Sequence, residues 1–479
     1  MSNSEICPHC GMDVEEGQKF CHNCGKPLIV GIDEIPEFGS ISEEKLASFS
    51  IEQLDILSLL SSSQEKEESL ITLNYDQELA DIDSKIYDGQ ESGEEVGELL
   101  LEKAALYFIN RDLQNASKMF ETALENFKSL GDLEKTALVY NDLGLIYEEL
   151  GYLDDSLNNY EKAMNIFQRS RDNLNYVKVL NNLGNVYLLL ENIEKAYDFY
   201  SNALEISRQN GFFMEYRQTS SNLIEVYFRL QNFTRAYKFL TENIQFFRNQ
   251  NDIIGEIIAT SKFGKLYYLL GENYFKLANG YMNNAQILLD AIREKISDYD
   301  AALLSWENYR LLGLINLVWN DNTLSKKYLN QALDSIRTFK MGPRPEEALV
   351  LVDLANFFYI NGNDKEALHY FQQAEAIYKD RGEETKEADI KTNIGNIYFS
   401  ILDSCDTAIN YFELALDLYS RNNYLKETAE IYEKLADVYE KIDTPDSALI
   451  HLGNALKIYE TLNNEEKQNQ IKERIQKIS

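Results

Sequence analysis

Four of the five cysteines lie in the first 24 residues, where they form two Cys-x-x-Cys pairs. The pairs are Cys7 with Cys10 and Cys21 with Cys24, and a glycine follows each pair. Closely spaced thiols in a reducing compartment bind metal more readily than they form disulfides. Four thiolates complete the tetrahedral shell of Zn²⁺ and leave no position open for water or substrate. The spacing therefore predicts one structural zinc ion without a catalytic role.

At these residues the chain resembles the small zinc ribbon that begins many bacterial and archaeal multidomain proteins. The resemblance implies a ribbon over residues 1–30. In so short a segment the metal must supply the folding free energy, on the order of 10–16 kcal/mol for structural zinc. A redox dithiol and an iron–sulfur site are the alternatives, and both match the doubled knuckle less well. We interpret His9 and His22 as exposed knuckle residues, because four cysteines already suffice.

The composition excludes several classes of partner. The chain has 79 Asp and Glu against 46 Lys and Arg, which gives a formal net charge of −33. Such a surface repels nucleic acid and anionic lipid, so we expect neither as a partner. The sequence has no apolar run long enough to span a membrane, and its N-terminus lacks the basic and apolar regions of a signal peptide. We therefore expect a cytoplasmic protein.

Much of the acidic charge lies between the cysteines and the rest of the chain. Residues 31–98 hold 19 acidic and 3 basic residues. Such charge disfavours compaction, so we expect an acidic, largely flexible linker over residues 31–96. Ser50 and Gln53 have the spacing of a capping box and open an apolar run, which predicts a short helix near residues 50–60.

From residue 99 onward, apolar residues recur three and four positions apart, which is the period of an α-helix. A small residue marks each unit except the fourth, where Ile224 stands, and further small and aromatic residues follow at fixed distances. The markers are Ala104, Gly144, Gly184, Ile224, Gly264, Gly313, Ala355, Gly395 and Ala436, at steps of 40, 40, 40, 40, 49, 42, 40 and 41 residues. Small residues permit close helix approach and aromatic rings fill the space between pairs, so this spacing predicts nine stacked helix pairs.

At these markers the chain resembles the tetratricopeptide repeat family. The first-helix motif of that family is present at Leu143-Gly144, Leu183-Gly184 and, with Ile, at Ile394-Gly395. The step of 40 residues is similar to the longer-helix subclass of scaffold adaptors and bacterial signalling-peptide receptors. The resemblance implies an all-α fold, an α-solenoid in which about nine helix pairs form a right-handed superhelix over residues 97–465. We expect a capping helix at residues 466–479 and an enlarged fifth unit around residues 264–305.

The repeats carry no recognisable catalytic motif. The nucleotide-binding GxxxxGK[ST], the metalloprotease HExxH and the hydrolase GxSxG are all absent from the sequence. Outside the ribbon the histidines are His369 and His451, and the one cysteine is Cys405, which we interpret as a small buried apolar residue. We therefore expect no enzymatic activity.

In tetratricopeptide repeats the first helices line the concave face of the solenoid. In units three to six, the groove positions of the family carry amides and cations: Lys178, Asn181, Asn182, Asn185, Asn222, Arg229, Lys262, Lys265 and Arg310. Asn pairs with both N–H and C=O groups of an extended peptide, and Lys or Arg pairs with carboxylates. We expect these residues to form a locally basic peptide-binding groove, with the alternative that the amides only brace neighbouring helices. The terminal units carry acids instead, among them Glu148, Glu433 and Asp437.

The leading hypothesis is a non-enzymatic scaffold or adaptor that captures a protein or peptide segment, acidic or extended, with the zinc ribbon as an accessory module. A receptor for a short signalling peptide is the alternative, and it predicts a large change of shape on binding. A nucleic-acid-associated regulator that acts through the ribbon is a third reading, but residues 1–30 hold Lys19 and Lys26 against four acidic residues. Linker 31–96 has two readings: it is a solvated spacer between the ribbon and the repeats, or it occupies the groove of the resting protein.

Overall fold

The computed structural model describes residues 5–6, 13–14, 75–92, 96–338, 344–400 and 404–478. The four predicted zinc ligands and the predicted helix near residues 50–60 lie outside the described residues. At the N-terminus, strand β1 (Glu5–Ile6) pairs antiparallel with strand β2 (Asp13–Val14), and Glu5 lies opposite Val14.

Helices make up nearly all the rest of the described chain. They are α1 (Tyr75–Ser92), α2 (Gly97–Ile109), α3 (Leu113–Leu130), α4 (Leu133–Glu149), α5 (Leu153–Ser170), α6 (Asn173–Leu189), α7 (Ile193–Asn210), α8 (Phe213–Arg229), α9 (Phe233–Asn249), α10 (Ile253–Leu269), α11 (Phe275–Ile292), α12 (Asp298–Val318), α13 (Asn322–Arg337), α14 (Pro345–Ile360), α15 (Asp364–Asp380), α16 (Glu384–Ser400), α17 (Cys405–Arg421), α18 (Leu425–Lys441), α19 (Pro445–Thr461) and α20 (Glu465–Ile478). The prediction of an all-α array of helix pairs is confirmed. Among the described helices, none combines the length and the apolar character that a membrane span requires.

Short turns with a repeated geometry separate successive pairs. Between α3 and α4 stand only two residues: Gly131, with a φ of 72°, ends the first helix, and Asp132 begins the second. The Asp132 carboxylate accepts a hydrogen bond from the backbone N–H of Lys135 at 3.0 Å. Asp172 and Asp252 cap α6 and α10 in the same way. A capping side chain of this kind stabilises a helix by about 1 kcal/mol, so the sequence fixes where these first helices begin.

The small residues at the repeat markers let an aromatic ring of the second helix approach the first helix closely. A Cβ on Gly144 would lie 2.5 Å from the Tyr160 ring, and a Cβ on Gly395 would lie 2.6 Å from the Phe412 ring. Both rings are fully buried. The cores of these two pairs are therefore built around a glycine that faces an aromatic side chain.

The described helices divide into two compact units. The N-terminal unit comprises the residues up to 315 together with 338–342, and the C-terminal unit comprises 316–337 and 343–479. All nine predicted groove residues belong to the N-terminal unit.

Helix α1 lies inside the predicted flexible linker. Ile82 of α1 is buried against Leu106 of α2, and Leu79 and Ile86 pack beside them. These apolar residues recur three and four positions apart, so one face of α1 covers α2 although the helix is rich in acids. The linker prediction was wrong for residues 75–92, which belong to the helical array.

The enlarged fifth unit accommodates its nine additional residues at three places. Compared with the regular units, two lie in the turn before α11, three lie between α11 and α12, and four form an extra turn at the start of α12. Ser297 precedes that extra turn, and its hydroxyl accepts a hydrogen bond from the Asp300 N–H at 3.0 Å and donates one to the Asp300 carboxylate at 2.7 Å. Ala301 and Ile296 pack with Ile292 at the same end of the unit.

Candidate functional site

The nine predicted groove residues lie on four successive first helices. Helix α6 carries Lys178, Asn181, Asn182 and Asn185; α8 carries Asn222 and Arg229; α10 carries Lys262 and Lys265; and α12 carries Arg310. Hydrogen bonds and ion pairs between residues 37 to 45 positions apart connect these helices to one another and to α4. We call the side chains that make these connections, together with Lys178, the polar face.

In three asparagines of the polar face, one of the two polar atoms of the side-chain amide forms hydrogen bonds within the protein. The Asn182 Nδ2 donates to Asn141 Oδ1 of α4 at 2.9 Å. The Asn185 Oδ1 accepts from the Tyr200 hydroxyl at 2.6 Å and from Asn222 Nδ2 at 3.4 Å. Each side chain is therefore fixed in orientation by a neighbouring helix.

The second polar atom of each of these amides is open, which means that it can bond to a ligand. Among the described residues, none bonds to Asn182 Oδ1, Asn185 Nδ2 or Asn222 Oδ1. Each of the three residues is partly exposed. Asn181 differs, because it is buried and its Nδ2 donates to Thr219 Oγ1 of α8 at 2.8 Å. The face thus presents two acceptors and one donor on α6 and α8, while Asn181 serves as a brace.

Lys178 lies on the same helix and is half-buried. Within the described parts of the chain, its ammonium makes neither a hydrogen bond nor an ion pair. Burial lowers the pKa of Lys178 below its ordinary value, and the carboxylates of Glu215, Asp142 and Asp172 oppose this effect from a distance. A desolvated ammonium without a close partner is costly, so Lys178 gains if a ligand offers it an oxygen atom.

Lys262 and Lys265 stand in a different environment, because two glutamates neutralise them. The Lys265 ammonium lies 2.8 Å from Glu225 of α8 and 2.7 Å from Glu307 of α12, and the Lys262 ammonium lies 3.1 Å from Glu307. Burial raises the pKa of Glu307, but the two ammonium groups outweigh this effect and hold the pKa below its usual range. These four residues form a closed charge cluster across three helices.

The expectation of a locally basic groove is therefore wrong for this part of the polar face. Glu225 and Glu307 also occupy groove positions in the repeat register from which Lys262 and Lys265 were predicted. The same register therefore predicts that these two glutamates line the groove. Arg229 donates to the backbone oxygen of Leu188 at 3.2 Å, which also directs this cation toward the protein.

Helix α4 adds a partly buried carboxyl group next to the polar face. The Tyr160 hydroxyl donates to Glu148 Oε2 at 3.1 Å. Burial raises the pKa of Glu148 to about 7, although the hydrogen bond from Tyr160 lowers it, and the neighbouring Glu149 raises it further. Glu148 thus changes its charge near neutral pH.

The acids predicted at the C-terminal end of the array are already paired. The Lys467 ammonium of α20 lies 3.0 Å from Glu433, and the Arg474 guanidinium lies 2.6 Å from both Asp437 and Glu440. Helix α20 therefore covers the acidic surface of α18 and closes the C-terminal unit.

Within the predicted zinc ribbon, the structure describes the strand pair formed by β1 and β2. Strand β1 ends one residue before Cys7, and the chain between the two strands contains Cys7 and Cys10. Among the residues whose positions are described, no group of three or more metal-ligating side chains occurs.

Three family models match parts of the chain. The tetratricopeptide repeat model matches residues 95–169 and 135–209, the zinc-ribbon domain model matches residues 6–28, and the model of the soluble NSF attachment protein, SNAP, matches residues 338–473. No curated protein matches the chain by sequence.

Several solved structures resemble the fold. A signal-transduction ATPase with numerous domains and a tetratricopeptide repeat sensor, from Pyrococcus horikoshii, is 17% identical with a TM-score of 0.50, over 78% of this chain and 55% of that chain. The apo quorum sensor NprR from B. thuringiensis is 14% identical with a TM-score of 0.46, over 75% of this chain and 97% of that chain. Apo RapI is 15% identical with a TM-score of 0.45, over 59% of this chain and 99% of that chain. At these identities the similarity concerns the fold alone.

Proposed function

We propose that this chain, which carries tetratricopeptide repeats over residues 95–209 and a zinc-ribbon sequence at residues 6–28, is a non-enzymatic scaffold that binds an extended protein or peptide segment on its polar face. The observation that carries the proposal is the set of three open amide groups at Asn182, Asn185 and Asn222. We further propose one structural zinc ion in the ribbon and assign it no part in peptide binding.

The open amides suit a peptide backbone for two physical reasons. They offer both donors and acceptors, and an extended chain presents N–H and C=O groups in alternation. Their orientation is set before binding by Asn141, Tyr200 and one another, so little side-chain entropy is lost when a ligand binds. Preorganised amides of this kind recognise backbone and therefore tolerate different side chains in the bound segment.

Electrostatic attraction contributes less to binding of the segment than the sequence suggested. Lys262 and Lys265 are neutralised by Glu225 and Glu307, and three carboxylates surround Lys178 at a distance. We therefore propose that the segment need not be strongly acidic and that its affinity changes little with ionic strength. The net charge of −33 still argues against nucleic acid and anionic membranes as partners.

Selection from a random peptide library tests the proposal. Dodecapeptides selected on the wild-type full chain should bind the N182A/N222A variant about tenfold or more weakly, which corresponds to the loss of one or two hydrogen bonds. The matched control is N158A/N202A, which removes two exposed asparagines from the second helices α5 and α7. Equal binding by all three proteins would exclude the polar face as the binding site.

The same peptides distinguish a scaffold from a signalling-peptide receptor. A scaffold binds a selected sequence equally well as a free peptide and inside a loop of a carrier protein, because backbone amides are recognised in both. A receptor for a short peptide requires the free termini and loses affinity in the carrier.

A further inference from the structure

The C-terminal unit contains an open cavity of about 580 Å³ between the first half of α13 and the end of α14. Its lining consists of two lysines, four asparagines, one threonine and two phenylalanines. None of these lining residues is acidic, although the chain contains 79 Asp and Glu. The cavity is therefore a local exception to the charge of the protein.

The cavity lies where Lys326 breaks the repeat pattern. Each second helix carries a fully buried small residue near its start, which in α13 is Ser325. In six other second helices the next residue is apolar and partly buried, namely Leu157, Tyr197, Tyr237, Leu368, Ile409 and Leu449. Helices α3 and α11 carry the neutral Ser117 and Asn279 at this position. Lys326 is exposed instead, so the space that an apolar side chain fills in the regular pairs remains open.

The ring of Phe358 forms one wall of this space. Phe358 and Tyr227 occupy the same repeat position, three residues after the marker of the first helix. In the N-terminal unit Tyr197 fills the equivalent space, with its ring centroid 6.1 Å from that of Tyr227. In the C-terminal unit the Lys326 ammonium lies 5.2 Å from the centroid of the Phe358 ring. The lysine thus places a positive charge at the aromatic wall of the cavity.

The polar groups of the cavity are available to a ligand. In the part of the chain that the structure describes, the ammonium groups of Lys326 and Lys327 make no ion pair and no hydrogen bond. Within the same part, the side chains of Thr323, Asn330 and Asn363 make no hydrogen bond either. The cavity thus offers two positive charges and three neutral hydrogen-bonding groups, with no carboxylate in its lining. This combination favours an anionic ligand.

We propose that the cavity binds an acidic segment of a partner protein. A single small anion would gain little, because both lysines are exposed to water. A segment with several carboxylates can contact both lysines, and its backbone can bond to the hydroxyl and amide groups beside them. All residues of the polar face belong to the N-terminal unit, so this proposal does not depend on peptide binding there. With both sites the chain holds two segments of different chemistry.

Fluorescence anisotropy of a labelled peptide tests the proposal on the full chain. The probe is a dodecapeptide of alternating Glu and Gly, and its uncharged counterpart has Gln in place of Glu. At low ionic strength the K326E/K327E variant should bind the Glu peptide about tenfold or more weakly than the wild type. The control K379E/K457E, which reverses two exposed lysines elsewhere in the C-terminal unit, changes the net charge equally and should bind like the wild type.

Lys326→Leu separates a binding role of this residue from a structural one. Leucine restores the apolar side chain of the regular pairs, so it should fill the space and weaken binding of the Glu peptide. The midpoint of urea unfolding should stay unchanged or rise, because the added apolar group is buried. A lowered midpoint together with wild-type affinity would assign Lys326 a structural role and overturn the proposal.

Three further outcomes of the anisotropy experiment overturn the proposal. Equal affinity of the wild type and K326E/K327E for the Glu peptide, or no binding by either, excludes the cavity as the site. Equal affinity of the wild type for the Glu and Gln peptides shows that negative charge is not selected. Displacement of the Glu peptide by inorganic phosphate, but not by chloride of the same ionic strength, assigns the lysines to a small anion.

An independent measurement uses the unmodified protein and locates the peptide directly. A zero-length carbodiimide reagent joins carboxylates to amines that touch, and mass spectrometry then identifies the joined lysines. The proposal expects the Glu peptide to be joined to Lys326 and Lys327. Links spread evenly over exposed lysines such as Lys238 and Lys379 would show unspecific attraction, and links to Lys178 would place the peptide on the polar face. Either result overturns the proposal.

Discussion

A Cβ atom on Gly184 would lie 2.5 Å from Cε1 of Tyr200, so no side chain larger than hydrogen fits between helices α6 and α7 at this point. The Tyr200 ring is fully buried, and its hydroxyl emerges at the polar face to donate to Asn185. The residue that permits the helix pair to close thus also sets the position of an amide that we assign to peptide binding.

Gly184→Ala should destabilise the N-terminal unit. The added methyl group overlaps the Tyr200 ring, and overpacking of this kind costs typically 1–3 kcal/mol. The control is Gly453→Ala in α19, where a Cβ meets nothing within 4 Å. At that site alanine should raise stability by up to about 1 kcal/mol through its helix propensity.

Urea unfolding followed by circular dichroism measures both changes. Gly184→Ala should also weaken the binding of the selected peptides, because movement of Tyr200 breaks the hydrogen bond that orients Asn185. Equal effects of the two substitutions on the unfolding midpoint would reject the repeat register.

The repeat register was predictable because close helix approach imposes a small residue at a fixed distance from an aromatic ring. The same reasoning missed α1, since the acids of that helix dominate its composition while its apolar stripe consists of only a few residues such as Leu79, Ile82 and Ile86. The enlarged fifth unit was visible as a longer step, but its division among two turns and the start of α12 depends on Ser297 and on packing.

Glu307→Gln should destabilise the N-terminal unit by about 1–2 kcal/mol, because Lys262 and Lys265 then share Glu225 alone within the closed charge cluster. The two lysines hold the pKa of Glu307 below its usual range. Its contribution to stability is therefore present above the ordinary glutamate pKa and is lost as the pH falls through the lowered value.

The free energy of unfolding, measured from about pH 3 to about pH 7, tests this prediction because glutamates titrate in this range. The variant should lose less stability than the wild type on acidification. Glu242→Gln, which alters an exposed glutamate of α9, serves as the control and should follow the wild type. A variant as stable as the wild type at pH 7 would show that the cluster contributes nothing.

The cations and amides of the polar face could be chosen from the sequence, but their pairing could not. Pairing depends on the distance between side chains of helices 40 or more residues apart, and that distance follows from helix spacing. Selection of positive and amide residues alone also omitted Glu225 and Glu307 from the same register. Within the predicted set, the structure distinguishes the open amides from a brace at Asn181 and from the two lysines of a neutral cluster.

Glu148→Gln should make the N-terminal unit less sensitive to pH. Burial raises the pKa of Glu148 to about 7, so the folded protein retains a proton that the unfolded chain releases near the ordinary glutamate value. This stabilising contribution is complete at low pH and is lost as the pH rises through about 7. At pH 8 the variant should be more stable than the wild type by on the order of 1–2 kcal/mol. Thermal unfolding measured from low pH to pH 8 tests this prediction. The control is Glu134→Gln, which alters an exposed glutamate.

The purified full chain should contain one zinc ion, and Cys7→Ser should release it. The core clusters that the structure describes in the N-terminal unit consist of helical residues, so loss of the metal should leave the unfolding of the array unchanged. Metal analysis together with circular dichroism measures both effects. If removal of zinc also lowered the unfolding midpoint of the helices, the ribbon and the array would not be independent. Ser4→Ala, next to β1, is the control and should retain the metal.

Ile471→Ala should loosen the end of the C-terminal unit. Ile471 is fully buried, and it packs with Leu452 and Ala455 of α19. Loss of a buried isoleucine of this kind costs about 2–5 kcal/mol, because a cavity replaces the missing methyl groups. The ion pairs of Lys467 and Arg474 should not compensate, since partly exposed pairs contribute at most about 1 kcal/mol each. Amide hydrogen exchange should therefore accelerate in α18 and α19 but not in the N-terminal unit, and the neighbouring Lys472→Ala should have no effect. Exchange that accelerates equally in both units would mean that the whole array unfolds as one cooperative body rather than from its C-terminal end.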